Sequence, residues 1–232
     1  MDPKPASPLK IQKRDMRDFE KRFFEKRDLR VLAALGSSVV GIAGAGGLGS
    51  NAAASLARAG VGRLIIADFD RVEPSDMNRQ FFFLDQVGKL KVEALAENLK
   101  KLNPYSIIET HEAKITKENL PSVFGPADLL IEALDKADEK QMLVEAWLAA
   151  FPGRPIIVAS GLAGYGKNNK LHQRRMGNLY ICGDECTECD ECTAPMAPRV
   201  GIVANMQANL AVELLVRMKG RKLARSSRSL PR

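Results

Sequence analysis

The 232-residue sequence lacks long apolar runs and has few cysteines, all of them in one place. No stretch approaches the roughly 20 apolar residues that a membrane-spanning helix needs, and the opening MDPKPASPLK has no apolar core of a secretory signal. The four cysteines lie within eleven residues, which is typical of metal or thiol chemistry rather than of a disulfide scaffold. We therefore expect a cytoplasmic protein with no membrane partner.

The excess of basic residues, a formal charge of +7, is confined to the two ends of the chain. Residues 217–232 contain seven basic residues and no acidic one, and residues 1–30 carry a further basic surplus, so the body between them is net acidic. This distribution does not predict a nucleic-acid partner. We expect a mobile segment over 1–16, a single domain over 17–219 and a basic disordered tail over 220–232.

Apolar runs of strand and helix character alternate through residues 17–219. Such alternation predicts an α/β, Rossmann-like fold: a mostly parallel twisted sheet with helices on both faces. Additional antiparallel strands are expected in the second half, where Leu171–Ile181 has room for one or two. The predicted helices are Arg17–Leu35, Ala52–Gly60, Lys91–Leu102, Lys136–Ala150 and Gly201–Met218, and the predicted strands are Val39–Ala43, Leu64–Ala67, Ile107–Thr110, Ala127–Ala133 and Pro155–Ala159.

A glycine-rich turn follows the first predicted strand. Gly44, Gly46 and Gly49 have the spacing G-x-G-x-x-G, with an extra Gly47. Glycines permit a tight turn and close backbone approach to phosphate, and the N–H groups at a helix start attract anions. Asp68, at the end of the second strand, is placed to accept hydrogen bonds from ribose hydroxyls. The pattern predicts a nucleotide site without distinguishing ATP from NAD.

The residues after Asp68 favour ATP. The pyrophosphate of a dinucleotide is already served by the helix dipole, whereas transfer of an α-phosphoryl group builds negative charge on the leaving pyrophosphate. Arg79 and Lys91 would offset that charge as fixed cations, although each could also be a solvated surface charge. Asp135 follows a buried strand, where it suits a Mg²⁺ ion bridging ATP phosphates or, alternatively, caps the next helix.

At this point the sequence resembles the ThiF/MoeB family, bacterial relatives of the ubiquitin-activating enzymes. The resemblance extends over about residues 39–216. Its motifs are GAGGLGS (44–50), AGVGRLIIADFD (59–70), NRQ (78–80), GKLKVEAL (88–95), NP (103–104) and MAPRVG (196–201). The GLAGYG at 161–166 is most similar to the ThiF-like branch associated with thiamine sulfur carriers.

The resemblance implies an ATP- and Mg²⁺-dependent adenylyltransferase that activates the C-terminal glycine carboxylate of a ubiquitin-like sulfur-carrier protein ending in Gly-Gly. The pathway would be thiamine or related sulfur-transfer biosynthesis. The catalytic positions of the family correspond here to Arg79, Lys91 and Asp135, the last as the Mg²⁺ ligand. Its nucleotide-binding positions correspond to Gly44, Gly46, Gly47, Gly49, Asp68, Asn78, Arg79, Gln80 and Lys91. Family members are homodimers in which an N-terminal arginine reaches the partner's phosphates, so Arg22 and Arg27 are candidates.

The sequence departs from the family in the S-N-x-N-R-Q motif, where Asp76 replaces the first Asn. A carboxylate near phosphates should repel them unless magnesium or a neighbouring Arg compensates. The role of Asp76 is therefore open.

A second departure is the cysteine loop, about residues 182–194. Relatives bind structural zinc through two CxxC pairs, the second far downstream, and no cysteine follows Cys192 here. Three alternatives stay open: a zinc or iron–sulfur site, a sulfur-transfer thiol at Cys189 or Cys192, and an exposed loop without a catalytic role. The potential metal ligands are Cys182, Cys186, Cys189 and Cys192. The five interleaved acidic residues would raise thiol pKa values, which works against both kinds of chemistry.

Two other functions are alternatives. An NAD(P)-dependent oxidoreductase would share the glycine turn, but His111 and His172 stand alone and no group is evident that would position a hydride acceptor. A non-catalytic scaffold that binds nucleotide and docks the carrier is kept open by Asp76 and the altered cysteine loop.

Overall fold

A seven-stranded sheet forms the centre of the protein in a computed structural model that describes residues 20–187 and 193–226, with side chains through residue 220. The strands are β1 (Val39–Ala43), β2 (Arg63–Asp68), β3 (Ile107–Glu112), β4 (Leu129–Glu132), β5 (Ile156–Ala159), β6 (His172–Met176) and β7 (Leu179–Gly183). Their order across the sheet is β3-β2-β1-β4-β5-β7-β6, and every pair is parallel except β6 with β7. The predicted parallel sheet with antiparallel strands in the second half is confirmed.

Helices cover both faces of the sheet. They are α1 (Leu29–Gly36), α2 (Gly47–Ala59), α3 (Lys91–Leu102), α4 (Leu120–Phe124), α5 (Ala137–Ala150) and α6 (Ala197–Ser226), with short 3₁₀ helices at Pro74–Asn78, Leu84–Gln86 and Asn168–Lys170. Side chains alternate along the central strands, so Ile42 and Ile66 pack under α2, α3 and α6, while Ile65 packs under α4 and α5. The two resulting cores explain why these strands read as continuous apolar runs.

The carboxyl end of β1 is joined to α2 by a very close turn. Gly44 has φ of +99°, and a Cβ built on it would lie 2.5 Å from the carbonyl oxygen of Ala133. A Cβ on Gly49, in the first turn of α2, would lie 1.9 Å from the carbonyl oxygen of Gly44. The glycine spacing therefore allows the start of α2 to pack directly on the ends of β1 and β4.

The predicted first helix, Arg17–Leu35, is wrong as a single element. Residues 20–23 are helical, but the chain then turns through Lys26, whose φ is +65°, before α1 begins at Leu29. Asp28 is the N-cap, and its carboxylate accepts a hydrogen bond of 2.7 Å from the N–H of Arg30. The periodic apolar pattern hid this capping signal.

The last helix is longer than the predicted Gly201–Met218. It begins at Ala197, with Pro198 in its first turn, where proline is favoured. It continues to Ser226, so residues 220–226 of the predicted disordered tail are helical, whereas residues 227–232 and the predicted mobile segment 1–16 lie outside the described residues. None of the helices in the described ranges is both long and apolar enough to cross a membrane.

The close turn predicts opposite effects of two glycine substitutions. Gly49→Ala places a methyl group against backbone and should lower the free energy of unfolding by about 1–3 kcal/mol. Gly201→Ala, in α6, meets nothing within 4 Å and should raise it by about 0.5–1 kcal/mol through helix propensity. Guanidinium unfolding curves measure both, and equal stability of the two variants would contradict the close packing.

Candidate nucleotide-binding site

A cleft of about 960 Å³ opens at the carboxyl ends of β1, β2, β4 and β5. In an open α/β sheet this is the edge at which ligands bind, and the point where strand order reverses lies at β1, between β2 and β4. Eight of the predicted site residues line the cleft: Gly44, Gly46, Gly47, Asp68, Arg79, Gln80, Lys91 and Asp135. The structure thus brings together residues that are up to 91 positions apart in the sequence.

Asp68 fixes the conformation of the glycine turn. Its Oδ2 accepts a hydrogen bond of 2.6 Å from the N–H of Ala45, and its Oδ1 accepts one of 2.8 Å from the N–H of Asp70. Burial raises the pKa of the Asp68 carboxyl, against the lowering effect of these hydrogen bonds. The N–H groups in the first turn of α2, around Gly47, have no intrahelical acceptors and border the cleft.

Lys91 brings a nearly buried ammonium group to the cleft. It is the first residue of α3, and its Nζ lies 3.5 Å from Asp70 Oδ2 and 3.6 Å from Asp76 Oδ2. Because its side chain is only 10% exposed, Lys91 is not a solvated surface charge. The position of Lys91 bears on the open question about Asp76, because the nearly buried Lys91 ammonium supplies a cation that compensates its charge.

Asp76 also holds the segment that carries Arg79. Its Oδ2 accepts a 2.9 Å hydrogen bond from the N–H of Glu73, and its Oδ1 accepts a 2.6 Å bond from Gln80 Nε2. Asp76 is therefore a buried anchor for the 3₁₀ turn, and it also lines the cleft. Sequence reasoning missed this role, although Glu73 and Gln80 lie only three and four residues from Asp76.

The Arg79 guanidinium is oriented by its own neighbours. Its Nη1 donates to Asn78 Oδ1 at 2.8 Å and to the carbonyl oxygen of Ser75 at 3.3 Å. The Arg79 side chain also lies beside Gly47, at the glycine turn. Asn78 and Gly49, both predicted to bind nucleotide, do not line the cleft: Asn78 orients Arg79, and Gly49 packs under Gly44.

Asp135 lies on the cleft between β4 and α5. Its side chain is exposed, and within the described ranges no hydrogen bond is found for it. The alternative role as a helix cap is not supported, because the N-cap of α5 is Lys136, with no side-chain capping bond. A free carboxylate beside the candidate phosphate site suits Mg²⁺, which keeps several waters and takes one or two carboxylates plus phosphate oxygens.

Glu132 and Lys140 form an ion pair at the end of β4, just before Asp135, that sequence reasoning missed. The fully buried Glu132 carboxylate accepts hydrogen bonds from Lys140 Nζ at 2.8 and 3.0 Å and from the N–H of Leu134 at 2.7 Å. Burial raises the pKa of Glu132, and Lys140 opposes that effect. A glutamate in an apolar strand, eight residues before a lysine, was the available signal.

The two cysteines in the described part of the chain lie in different environments. Cys182 is buried in β7 within the hydrophobic core, and burial raises the pKa of its thiol to about 12, whereas Cys186 is exposed. The burial of Cys182 argues against it as a metal ligand, since ligation needs the thiolate. No group of three or more metal-ligating side chains occurs in residues 20–187 and 193–226. Cys189 and Cys192 lie outside these residues, so a thiol role for them stays a prediction.

The two candidate arginines for contact across a dimer differ in their surroundings. Arg27 Nη1 donates a 2.9 Å hydrogen bond to the carbonyl oxygen of Ala59, at the C-terminal end of α2, and its guanidinium covers the ring of Phe24. That end lies about 20 Å along the helix from the glycine turn. Arg22 is exposed. A contribution to a partner's site therefore stays a prediction, with Arg22 the freer of the two.

Sheet order, glycine turn and strand-end aspartate define a Rossmann-like α/β protein with a nucleotide-type cleft. The sequence model of the ThiF family matches residues 17–230, and the chain belongs to that family. This confirms the resemblance found in the motifs.

Among curated proteins, the chain is similar to the adenylyltransferase and sulfurtransferase uba4 of Aspergillus niger, with 39% identity over 196 residues, 78% of this chain and 40% of the relative. It is also similar to the adenylyltransferase and sulfurtransferase MOCS3 of Anopheles gambiae, with 29% identity over 187 residues, 77% of this chain and 42% of that relative. The chain therefore spans about two fifths of the length of these relatives.

Among solved structures, the fold is similar to tRNA N6-threonylcarbamoyladenosine dehydratase TcdA of E. coli in complex with AMP. The TM-score is 0.76 at 17% identity, covering 90% of this chain and 98% of that chain. E. coli MccB with AMPCPP and MccA has a TM-score of 0.65 at 22% identity, covering 92% of this chain and 66% of that chain. These identities establish a shared fold.

The position of Asp76 predicts that its charge weakens nucleotide binding. In Asp76→Asn the Gln80 amide can rotate to keep the side-chain hydrogen bond, while Lys91 loses one competing anion. ATP should bind several-fold tighter by calorimetry, because a negative charge is removed near the triphosphate. Asp85→Asn, an exposed change outside the cleft, is the control. Weaker binding by the Asp76 variant would contradict the assignment.

Burial predicts different reactivities for the two described cysteines. With its pKa at about 12, roughly 1 in 10,000 Cys182 thiols is ionised at pH 8, so iodoacetamide should leave it unmodified. Exposed Cys186 should be alkylated in the same sample, and both should react in guanidinium. Peptide mass mapping reads each site, and rapid alkylation of Cys182 in the native protein would contradict its burial.

Proposed function

We propose that the protein is an ATP-dependent adenylyltransferase that activates the C-terminal glycine carboxylate of a ubiquitin-like sulfur-carrier protein. The observation that carries the proposal is the buried Lys91 ammonium in one cleft with the Arg79 guanidinium and the glycine turn. Two fixed cations beside a helix start suit a triphosphate better than the less charged pyrophosphate of a dinucleotide.

The cleft offers a place for each part of ATP. The triphosphate would lie on the N–H groups of Gly46 and Gly47, within reach of Arg79 and Lys91, and the ribose hydroxyls would donate to Asp68. Ala113, Ile115, Ala133 and Leu134 give one side of the cleft an apolar lining that suits a purine base. Asp135 would hold the Mg²⁺ ion, which when bound supplies charge neutralisation between the phosphates.

The reaction requires no nucleophile from the protein. An oxygen of the carrier carboxylate forms a bond to the ATP α-phosphorus, while the bond from that phosphorus to the bridging oxygen of the β-phosphate breaks. Pyrophosphate leaves with the electron pair, and the carrier becomes an acyl-adenylate without net proton transfer. Arg79 and Lys91 stabilise the charge that develops on the leaving group, and the cleft aligns the reactants.

Family membership and the activities named for its relatives support a ubiquitin-like partner. The curated relatives are named adenylyltransferase and sulfurtransferase, and MccB was solved together with MccA. We extend this to a carrier ending in Gly-Gly, of the kind used in thiamine or related sulfur transfer, and to a cytoplasmic homodimer. An oxidoreductase has less support, since His111 bonds Glu109 and His172 bonds Glu185, and neither histidine lines the cleft.

ATP–pyrophosphate exchange tests the proposal. Exchange should depend on a carrier ending in Gly-Gly and should fall at least about 100-fold in Arg79→Ala and Lys91→Ala, because each removes a fixed cation from the leaving group. Lys89→Ala is the matched control: Lys89 lies two residues away and pairs with Glu97 outside the cleft. A panel of carrier proteins also identifies the preferred partner.

ATP–pyrophosphate exchange at the wild-type rate in Arg79→Ala or Lys91→Ala would refute the assignment of these two residues to the phosphates. ATP binding without exchange for any carrier would instead favour the non-catalytic scaffold. Preferential binding of NADH over ATP in calorimetry would favour the oxidoreductase.

A further inference from the structure

A buried ion pair at the start of α6 connects two segments that border the cleft. Arg199 Nη2 lies 2.6 Å from Asp184 Oδ2, and the two side chains are 2% and 1% exposed. Arg199 Nη1 donates a second hydrogen bond, of 2.5 Å, to the carbonyl oxygen of Gly166. One guanidinium thus links α6 both to the segment after β5 (160–166) and to the segment after β7 (184–187).

A contribution to stability does not by itself explain why the Arg199 guanidinium is buried here. Arg199 is in the first turn of α6, where the helix dipole disfavours a cation, and its buried Nε–H has no partner in the described structure. Replacing a buried ion pair with uncharged side chains is often neutral or stabilising. The pair is therefore better explained by the geometry that it imposes.

On the other side of the pair, Asp184 organises the chain that leaves β7. Its Oδ1 accepts hydrogen bonds from the N–H of Cys186 at 3.0 Å and of Thr187 at 2.8 Å, and the Thr187 hydroxyl bonds both carboxylate oxygens. Burial alone would raise the pKa of Asp184, but these hydrogen bonds and Arg199 hold it at about 2. The ionised Asp184 carboxylate thus fixes the conformation of residues 184–187 through these hydrogen bonds.

The segments joined by the pair face the candidate phosphate site. Thr187 lines the cleft, as do Ser160, Gly161 and Leu162. Val200, the neighbour of Arg199, lines it too and packs on Gly47, with its Cγ1 3.1 Å from a Cβ built there. Both segments are therefore held at a set distance from the glycine turn through α6.

We propose that Arg199 is a positioning residue, which acts through Asp184 and Gly166 to hold segments 160–166 and 184–187 beside the glycine turn, so that the carrier carboxylate meets the α-phosphorus in line. This inference rests on the proposed function. Arg199 itself does not touch nucleotide or carrier. Its loss should leave ATP binding intact and impair the step that needs the carrier.

The double variant Asp184→Asn with Arg199→Met separates positioning from stability. It removes both charges, while the Asn Oδ1 can still accept from the amides of Cys186 and Thr187. We expect an unfolding midpoint equal to or above wild type. Hydrogen exchange at the amides of Gly164, Cys186 and Thr187 should be at least tenfold faster, because segments 160–166 and 184–187 lose the Arg199 link to α6 and open more often even where local hydrogen bonds can form. Lys219→Met breaks another ion pair of α6, with Asp128 at the far end of the helix, and should leave these amides unchanged.

Kinetics of the same variants test the functional part. In the double variant, kcat/KM for a ubiquitin-like protein ending in Gly-Gly should fall about 100-fold, as expected for a misplaced reactant. The Kd for ATP, measured without carrier, should stay within twofold of wild type. Thr187→Val, which retains the ion pair and loses only the hydroxyl, should give a smaller loss. If the double variant does not fold, Arg199→Lys provides the test, because it keeps a cation and loses the rigid fork that joins Asp184 to Gly166.

Wild-type protection from hydrogen exchange together with wild-type kcat/KM in the folded double variant, or in Arg199→Lys if the double variant is unfolded, would overturn the inference. Hydrogen exchange needs no substrate, so it tests the positioning role even if no carrier supports ATP–pyrophosphate exchange. A failure of every carrier to support ATP–pyrophosphate exchange would refute the proposed function and leave the positioning role standing.

Discussion

The hydrogen bond from the Ala45 N–H to the Asp68 carboxylate, together with the close approach of Gly49 to Gly44, is the constraint on which the site depends. It joins the ends of β1 and β2 and sets the start of α2 directly on the sheet. As a result, the cleft is bordered at the start of α2 by backbone N–H groups. Any Cβ at Gly44 or Gly49 would enter backbone and move the helix away.

Most charged side chains around this turn already have protein partners before a ligand binds. Lys91 is shared between Asp70 and Asp76, Lys140 is committed to Glu132, and Arg79 is held by Asn78. Fixed cations of this kind need little reorganisation when negative charge develops, which is the arrangement that favours phosphoryl chemistry. Asp135, with no partner found in the described ranges, is the exception, which suits the Mg²⁺ role proposed for it.

Local signals predicted the elements well wherever the residues that decide the conformation are close in sequence. The turn from Gly44 to Gly49, the helix Lys91–Leu102 and the parallel core strands needed only periodicity and glycine spacing. The break at Lys26 was missed because the apolar period continues across the Asp28 cap. Likewise, the C-terminal limit of α6 was placed too early because a Ser- and charge-rich composition was taken for a tail.

The residues that line the site could be predicted from the sequence, but the ion pairs that hold its segments in place could not. Arg79, Lys91 and Asp135 follow from charge chemistry and from the family motifs, whereas the Asp76–Lys91 and Arg199–Asp184 pairs join residues that only the folded chain brings near. The burial of Cys182 likewise depends on its register in β7, which four clustered cysteines do not reveal.

The most direct test of the central claim is a crystal structure with a non-hydrolysable ATP analogue and Mg²⁺. We expect its triphosphate on the N–H groups of Gly46 and Gly47, with Arg79 and Lys91 on phosphate oxygens and the metal on Asp135. A triphosphate bound elsewhere, with Arg79 and Lys91 turned away from it, would contradict the account.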